Sequence, residues 1–257
     1  MAGEVLLDKH AGVATVTLNR PARRNALTPE MADEMVAALR EIEADAAIGA
    51  AVIRGAGGHF CAGADLGEAA RMFADPLEPQ VHDGTTRIYE AFVRAGHLPV
   101  PVVAAVRGAA VGAGMNLLLA TDLRVVAHEA RLLSGFLRLG VHPGGGHMLL
   151  LAEAAGPQAA AAMAIFGEEI DGATAEALGL AWVALPDEEV EPHAQALAAH
   201  AARDPELARA AVHTLRMTAS AKATDWARAL QAERAAQLWS MRRAGLRQGK
   251  PRIPREG

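Results

Sequence analysis

The segments Phe60-Cys61-Ala62-Gly63-Ala64-Asp65-Leu66 and Val111-Gly112-Ala113-Gly114-Met115-Asn116 are two short bends rich in small residues. Small residues leave backbone N–H groups uncrowded, and the second bend continues directly into the apolar run Leu117–Ala120. This order predicts a helix whose first N–H groups lie at the bend, where they favour negative charge. The two bends together predict a pair of backbone donors that face one developing oxyanion.

Predicted strands and helices alternate on both sides of the bends. A Thr-Pro-Glu start at Thr28 predicts a helix with threonine as its N-cap, and apolar β-branched runs predict strands. The predicted strands are Val13–Leu18, Ala50–Arg54, Val102–Val106 and Leu123–Ala127, and the predicted helices are Pro29–Ala44 and Thr85–Ala95. Residues Asp75–Gly84 contain two prolines and no periodicity, which indicates a mobile loop. Strands that alternate with helices predict an α/β fold with parallel strand pairing.

Beyond Pro143 the pattern becomes mainly helical, interrupted by a short predicted strand at Trp182–Leu185. The predicted helices include Met148–Ala154, Pro186–Arg203, Pro205–Ala219 and Thr224–Ala244. The residues from Gly245 onward are basic and contain two prolines, so we expect a loosely ordered tail.

Composition narrows the class of protein. The 257 residues are 51% hydrophobic but only 4% aromatic, which predicts one large core of Ala, Val and Leu, alone or with a small appendage. The net charge of −5 argues against a nucleic-acid partner, which requires a basic surface. Cys61 is the single cysteine, so an intrachain disulfide is excluded.

Neither a membrane span nor an export signal is predicted. The most apolar region, Leu98–Leu123, is interrupted by two prolines and by Arg107. Charged residues at Glu4 and Asp8 interrupt any apolar run near the N-terminus. We therefore expect a cytoplasmic protein with no membrane partner.

Several segments, in order and spacing, resemble the crotonase (enoyl-CoA hydratase/isomerase) superfamily. They are Leu18–Leu27, the two bends, Leu139–Gly145 and Ala175–Ala181. The resemblance covers nearly the whole chain and implies a spiral of ββα turns followed by a helical region that builds a homotrimer or a dimer of trimers. On this basis residues 1–195 form the core, and residues 196–257 form the helical region with its basic tail.

The resemblance also implies a substrate and a site. Members bind acyl-CoA and stabilise a thioester enolate, without a separate cofactor or a metal. By position, the oxyanion donors are the amides of Ala64 and Ala113. The residues implied in binding CoA are Arg24, Ala26, Ala62, Gly63, Asp65 and Leu66.

The two glutamates with which a hydratase activates water are replaced. Matched position by position, the first falls at Asn116 and the second at Phe136. Asparagine orients water but takes no proton at neutral pH, and phenylalanine does neither. These residues argue against hydration and favour a reaction that needs mainly enolate stabilisation, such as decarboxylation of a malonyl-type thioester. A non-catalytic acyl-CoA carrier and an oligomeric scaffold without ligand remain as alternatives.

Several other side chains compete to handle protons. His142 precedes the triple glycine that borders the acyl pocket in the family; it is either an acid or base or a structural cap of the next helix. His82 and Asp83 lie in the predicted loop and could reach the site, whereas His147 is expected to be structural.

The remaining motifs point to no other chemistry. Cys61, near His59, is either a nucleophile or small buried filler, and filler is the favoured interpretation. The sequence contains no serine-hydrolase elbow, zinc-ligand pair, P-loop or complete dinucleotide fingerprint.

Overall fold

The computed structural model describes residues 3–65, 67, 75–219 and 225–248. The strands are β1 (Val5–His10), β2 (Val13–Leu18), β3 (Ala50–Gly55), β4 (Val102–Val106), β5 (Ala109–Val111), β6 (Leu123–Ala127), β7 (Arg131–Leu133), β8 (Glu169–Ile170) and β9 (Val183–Leu185). The helices are α1 (Pro29–Ala44), α2 (Pro79–His97), α3 (Ala113–Ala120), α4 (His147–Ala164), α5 (Gly172–Ala177), α6 (Asp187–Ala201), α7 (Pro205–Ala219) and α8 (Trp226–Gln248).

The strands form two sheets. The larger has the order β1-β2-β3-β4-β6-β9 and is parallel except for the β1–β2 pair. In the smaller, β7 pairs in parallel with β5 and antiparallel with β8. The predicted α/β class and its parallel pairing are therefore confirmed. Predicted strands β2, β3, β4, β6 and β9 are present, whereas the six-residue strand β1 and the short strands β5, β7 and β8 were not predicted.

Helix α1 forms as its sequence predicts. The Thr28 side chain accepts a hydrogen bond from the Met31 N–H at 3.1 Å, and Pro29 fills the first helical position. The residues of its apolar face (Met31, Met35, Leu39 and Ile42) are fully buried. Burial of this face fixes the helix against the large sheet.

Helix α2 corrects part of the predicted mobile loop over Asp75–Gly84, because residues 79–84 are helical. The helix begins at Pro79, not Thr85, because proline suits the first turn of a helix. Ile88 and Phe92 anchor it in the core, and Arg87 forms an ion pair with Asp33 of α1. His82 and Asp83 consequently lie on a helix.

Helix α8 corrects the expected start of the tail. It continues through Gln248, so residues 245–248 are helical, and the rest of the predicted tail lies outside the described residues. At its other end the buried Trp226 donates from Nε1 to the Gly145 carbonyl at 3.0 Å. This contact brings the C-terminal helix over the loop that precedes α4.

The division of the chain at residue 195 stays a prediction. That residue lies inside α6, which packs against β3, β4 and β6. The Gln195 side chain donates to Thr15 of β2 at 2.8 Å. Helix α6 is thus part of the layer that covers the large sheet.

Candidate active site

The two bends are in direct contact. The backbone N–H of Cys61 donates to the Ala109 carbonyl at 3.0 Å, and the backbone carbonyl of Cys61 accepts from the Val111 N–H at 3.0 Å. Gly63 has φ +97°, and a Cβ at this position would lie 2.8 Å from the Val111 oxygen and 3.7 Å from the Ala113 nitrogen. A side chain at residue 63 would therefore push the bends apart.

The contacts around Ala64 and Ala113 leave their N–H groups available. Beside Ala64, the Leu27 N–H donates to the Gly63 carbonyl at 2.7 Å, and the Leu27 carbonyl accepts from the Asp65 N–H at 2.9 Å. Ala113 is the first residue of α3, where an N–H has no partner within the helix. Within the described part of the chain, neither N–H donates to a backbone or side-chain acceptor.

The conformation of Ala113 also agrees with the sequence. Alanine is acceptable there only with negative φ, and Ala113 has no positive φ. The unusual geometry falls instead on the preceding Gly112, with φ +52° and ψ −110°. Glycine adopts such angles readily because it has no Cβ.

Both alanines line a cavity of about 340 Å³. Its wall is mainly apolar or glycine, with six described polar side chains: Thr85, Tyr89, Asn116, Ser134, Arg138 and Gln237. None of the described lining residues is a carboxylate. The predicted site residues that line this one cavity are Ala62, Gly63, Ala64, Ala113, Asn116 and Phe136.

Three buried polar side chains beside the cavity are joined by hydrogen bonds, and two of them, Asn116 and Ser134, belong to residues that line it. Asn116 Nδ2 donates to the Gly144 carbonyl at 2.7 Å, and Asn116 Oδ1 lies 2.6 Å from His147 Nδ1. The other ring nitrogen, Nε2, lies 2.8 Å from Ser134 Oγ. Ser134, His147 and Asn116 are each at most 1% exposed.

The hydrogen bonds assign the direction of this chain. The Gly144 carbonyl only accepts, so it orients the Asn116 amide with its oxygen toward His147. His147 Nδ1 must then carry the proton, and its Nε2 accepts from the Ser134 hydroxyl. Because Ser134 Oγ donates its proton in this bond, its lone pairs are not used in the contact with His147.

Burial keeps His147 neutral. Complete burial lowers the pKa of its imidazole to about 3, since no solvent stabilises the charged form. The Phe136 ring meets the imidazole edge-on, with 4.9 Å between ring centroids. Phe136 thus occupies the position implied for the second glutamate and covers His147.

Ser134 and the polar role of His147 were missed at the sequence level. Ser134 follows a three-residue strand that was not predicted, and no serine-hydrolase elbow surrounds it. The pair is 13 residues apart in the chain, and only the turn through the triple glycine brings the side chains together. The one feature of the sequence that could have indicated this buried polar chain was Asn116, a polar residue within an otherwise apolar helix.

His142 lies beside the cavity but is not among its described lining residues, although Val141 and Gly144 are. Its N–H donates to Ser240 Oγ at 2.7 Å, and its Nδ1 lies 2.6 Å from the Pro143 carbonyl. A catalytic role for His142 stays a prediction.

The cap of α4 comes from elsewhere, contrary to the structural alternative for His142. The Glu233 carboxylate of α8 accepts from the N–H groups of Gly146, His147 and Met148 at 2.8–2.9 Å. This carboxylate satisfies three of the four unpaired N–H groups at the helix start.

His82, which was considered as a group that could reach the site from a mobile loop, forms a hydrogen bond to Arg234 of α8. Its Nε2 lies 2.9 Å from an Arg234 guanidinium nitrogen of α8. This contact joins two helices on an exposed part of the surface.

The residues implied in CoA binding lie on the loop before α1 and on the first bend. Arg24 is exposed and has φ +50°. The Arg20 guanidinium donates to the Ala26 carbonyl and lies 3.5 Å from the Asp65 carboxylate. The buried Asn25 side chain ties this loop to the segment between β3 and the first bend by donating to the Ala56 and His59 carbonyls. Leu66 lies outside the described residues.

Cys61 behaves as buried filler. It is fully buried, and burial raises the pKa of its thiol to about 12, which disfavours the reactive thiolate. His59 Nδ1 instead accepts from the Ala109 N–H. The favoured interpretation of Cys61 is thereby supported.

Among residues 3–65, 67, 75–219 and 225–248, no three His, Cys, Asp or Glu side chains are arranged to hold a metal ion. Within the same residues, no helix combines the length and apolar character needed to cross a bilayer.

Comparison with known proteins places the chain in a family. The family model for enoyl-CoA hydratase/isomerase matches residues 8–248. A Mycobacterium tuberculosis protein named "Probable enoyl-CoA hydratase" is 42% identical over 219 residues, covering 85% of this chain and 83% of its own. The 1,2-epoxyphenylacetyl-CoA isomerase of Escherichia coli is 36% identical over 204 residues, covering 78% and 77%.

The fold agrees with that placement. The crystal structure of an enoyl-CoA hydratase from Mycobacterium avium subsp. paratuberculosis superposes with a TM-score of 0.80 at 27% identity, covering 98% of this chain and 96% of the other. The crotonase fold predicted from the sequence is confirmed. Both its sequence and its fold therefore show that the chain belongs to the enoyl-CoA hydratase/isomerase (crotonase) family, which is a family of enzymes.

Proposed function

We propose that the cavity binds an acyl-CoA thioester and stabilises its enolate between the N–H groups of Ala64 and Ala113. The observation that carries this proposal is the pair of available N–H groups on two residues that line one cavity, with their bends held together by the contact at Gly63. Two such donors lower the barrier to enolisation because negative charge develops on the thioester oxygen, and each contributes about 3–4 kcal/mol. CoA itself is part of the substrate, and the proposal involves no separate cofactor.

The cavity wall argues for a reaction that needs no carboxylate base. Both ends of the Asn116 amide are already hydrogen-bonded, and Phe136 presents only an apolar ring. Decarboxylation of a malonyl-type thioester fits this wall better than hydration, because departure of CO2 itself generates the enolate.

A binding-only function is the second candidate. Phe136 on the wall adds apolar contact for an acyl chain while removing a proton-transfer group. A carrier would hold the thioester in the same place without converting it.

Mass spectrometry of a CoA-thioester panel incubated in D2O tests the proposal. Deuterium at the α-carbon, or CO2 loss from a malonyl-type thioester, is the expected result; hydrated crotonyl-CoA would contradict the preference against hydration. Binding without any conversion would favour the carrier.

Ala113→Pro supplies the matched variant. Proline removes the N–H of residue 113 yet suits the first position of a helix, so assembly should survive while turnover falls roughly a hundred- to thousandfold. Ala113→Gly keeps the N–H and serves as the control. Turnover by Ala113→Pro equal to that of the control would contradict the assignment of this donor.

We also propose that the chain assembles as a homotrimer or a dimer of trimers. Large apolar side chains stand exposed on the single chain, among them Phe166, Trp182 and Trp239. Such exposure is expected where subunits meet. Light scattering should give a mass of three or six chains, and a monomer would contradict the proposal.

A further inference from the structure

The hydrogen-bonded chain Ser134–His147–Asn116 has no part in enolate stabilisation. We propose that Ser134 is a nucleophile that accepts the acyl group of a bound CoA thioester, with His147 as its general base and Asn116 as the partner that orients the ring. The protein would then be a thioester hydrolase as well. This inference rests on the proposed binding of acyl-CoA in the cavity.

The three side chains stand in the order that nucleophilic catalysis requires. The serine hydroxyl donates to the unprotonated Nε2 of His147, and the opposite nitrogen donates to Asn116 Oδ1. A nucleophile bonded to a base, and a base oriented by a third group, are the features by which such sites are recognised across unrelated folds.

Ser134 also lies beside the proposed oxyanion donors. The Gly112 N–H donates to the Leu133 carbonyl at 2.9 Å, and a Cβ on Gly112 would lie 3.6 Å from the backbone carbonyl oxygen of Ser134. Ser134 therefore follows directly on the strand pair that positions Ala113, and both residues line the cavity. Ser134 and the proposed oxyanion donors thus line the same cavity, and His147, which is not among the described lining residues, is hydrogen-bonded to Ser134.

The proposed reaction proceeds in two balanced steps. Ser134 Oγ bonds to the thioester carbonyl carbon while its proton passes to His147 Nε2 and the carbonyl electron pair moves onto oxygen. The C–S bond then breaks, the sulfur takes the proton from the imidazolium, and CoA leaves with a free thiol. Water attacks the acyl ester on Ser134 in the same way, giving a carboxylic acid and restoring the hydroxyl.

The surroundings of His147 make it a weak base. Its ring faces the uncharged Asn116, Ser134 and Phe136, while the Glu233 carboxylate binds the backbone N–H of His147. The imidazolium is consequently stabilised mainly by the oxyanion that forms at the same moment. We expect slow turnover in which the acyl-serine accumulates.

The test measures thioester binding and CoA release separately on the full chain. Butyryl-CoA, which has no double bond to hydrate, and crotonyl-CoA are the probes. Binding is followed by calorimetry, free thiol by a colorimetric reagent, and the acyl adduct by acid quenching and peptide mass mapping. The proteins are the wild type, Ser134→Ala, Ser134→Cys and Thr218→Ala, the last an exposed hydroxyl residue on α7 that is not among the described lining residues.

The expected result is an acyl adduct on Ser134 in the wild type and CoA release that falls roughly a hundredfold or more in Ser134→Ala. Binding should change less than about twofold, Ser134→Cys should still form the adduct, and Thr218→Ala should match the wild type. The adduct in the wild type does not depend on how well any variant folds.

Two results would overturn the inference. One is tight thioester binding with neither adduct nor CoA release, which would leave the proposed function standing. The other is CoA release by Ser134→Ala at the wild-type rate. Failure of both probes to bind would instead contradict the proposed function, and the inference would fall with it.

Discussion

The buried imidazole of His147 predicts a specific dependence of stability on pH. The folded chain holds this group with a pKa of about 3, against the ordinary value of 6.5 expected in the unfolded chain. Below pH 6.5 the unfolded state binds a proton that the folded state does not. Stability is therefore fully present above the unfolded pKa and is lost as the pH falls toward the folded one.

The size of the effect follows from those two values. Lowering the pH from about 7.5 to about 5.0 should cost about 2 kcal/mol of unfolding free energy through this group alone. That loss is a sizeable part of the total stability of a typical domain, about 5–15 kcal/mol.

The assay is urea unfolding at several pH values for the wild type and for His147→Gln, whose uncharged amide does not titrate. Other groups, including Glu233, whose pKa burial raises, contribute to both proteins and cancel in the difference. The wild type should lose about 2 kcal/mol more than the variant between the two pH values. Parallel pH profiles for the two proteins would refute the assignment of His147 as a buried neutral base.

Two further substitutions test the contacts that build the site. Gly63→Ala should lower turnover roughly a hundredfold by separating the bends, and should lower the free energy of unfolding by about 1–3 kcal/mol. Gly58, which also has positive φ but lies in open space, supplies the control: Gly58→Ala should lose only the free energy of the backbone strain. Equal turnover in the two variants would contradict the role of the contact at Gly63. Glu233→Gln should cost about 1–3 kcal/mol in urea unfolding, because one amide oxygen replaces two carboxylate oxygens that accept three N–H groups; an unchanged midpoint would show that α4 does not need this cap.

Much of the fold was predictable because the signals are local. The cap at Thr28 and the apolar runs of β2 and β4 depend only on neighbouring residues, and these elements appear where predicted. The four unpredicted strands, by contrast, include pieces of only two or three residues whose pairing is decided by the sheet.

The candidate site was predictable only in part, and for the same reason. Each bend carries its own pattern of small residues, and the resemblance of these bends to the family implied Ala64 and Ala113 as the donors. The link from Asn116 to His147 and Ser134 is a long-range contact that no local pattern encodes. Helix α2 was missed at its start because two prolines suggested a loop, although one of them occupies the first helical position.

The central claim is that the N–H groups of Ala64 and Ala113 bind a thioester oxygen. Isotope-edited infrared spectroscopy of crotonyl-CoA labelled with carbon-13 at the carbonyl reads this contact directly, whatever reaction follows. The account predicts that the carbonyl band moves to lower frequency on binding to the wild type and to Ala113→Gly, and moves less on binding to Ala113→Pro. A bound thioester whose carbonyl band stays at its solution frequency in the wild type would contradict it.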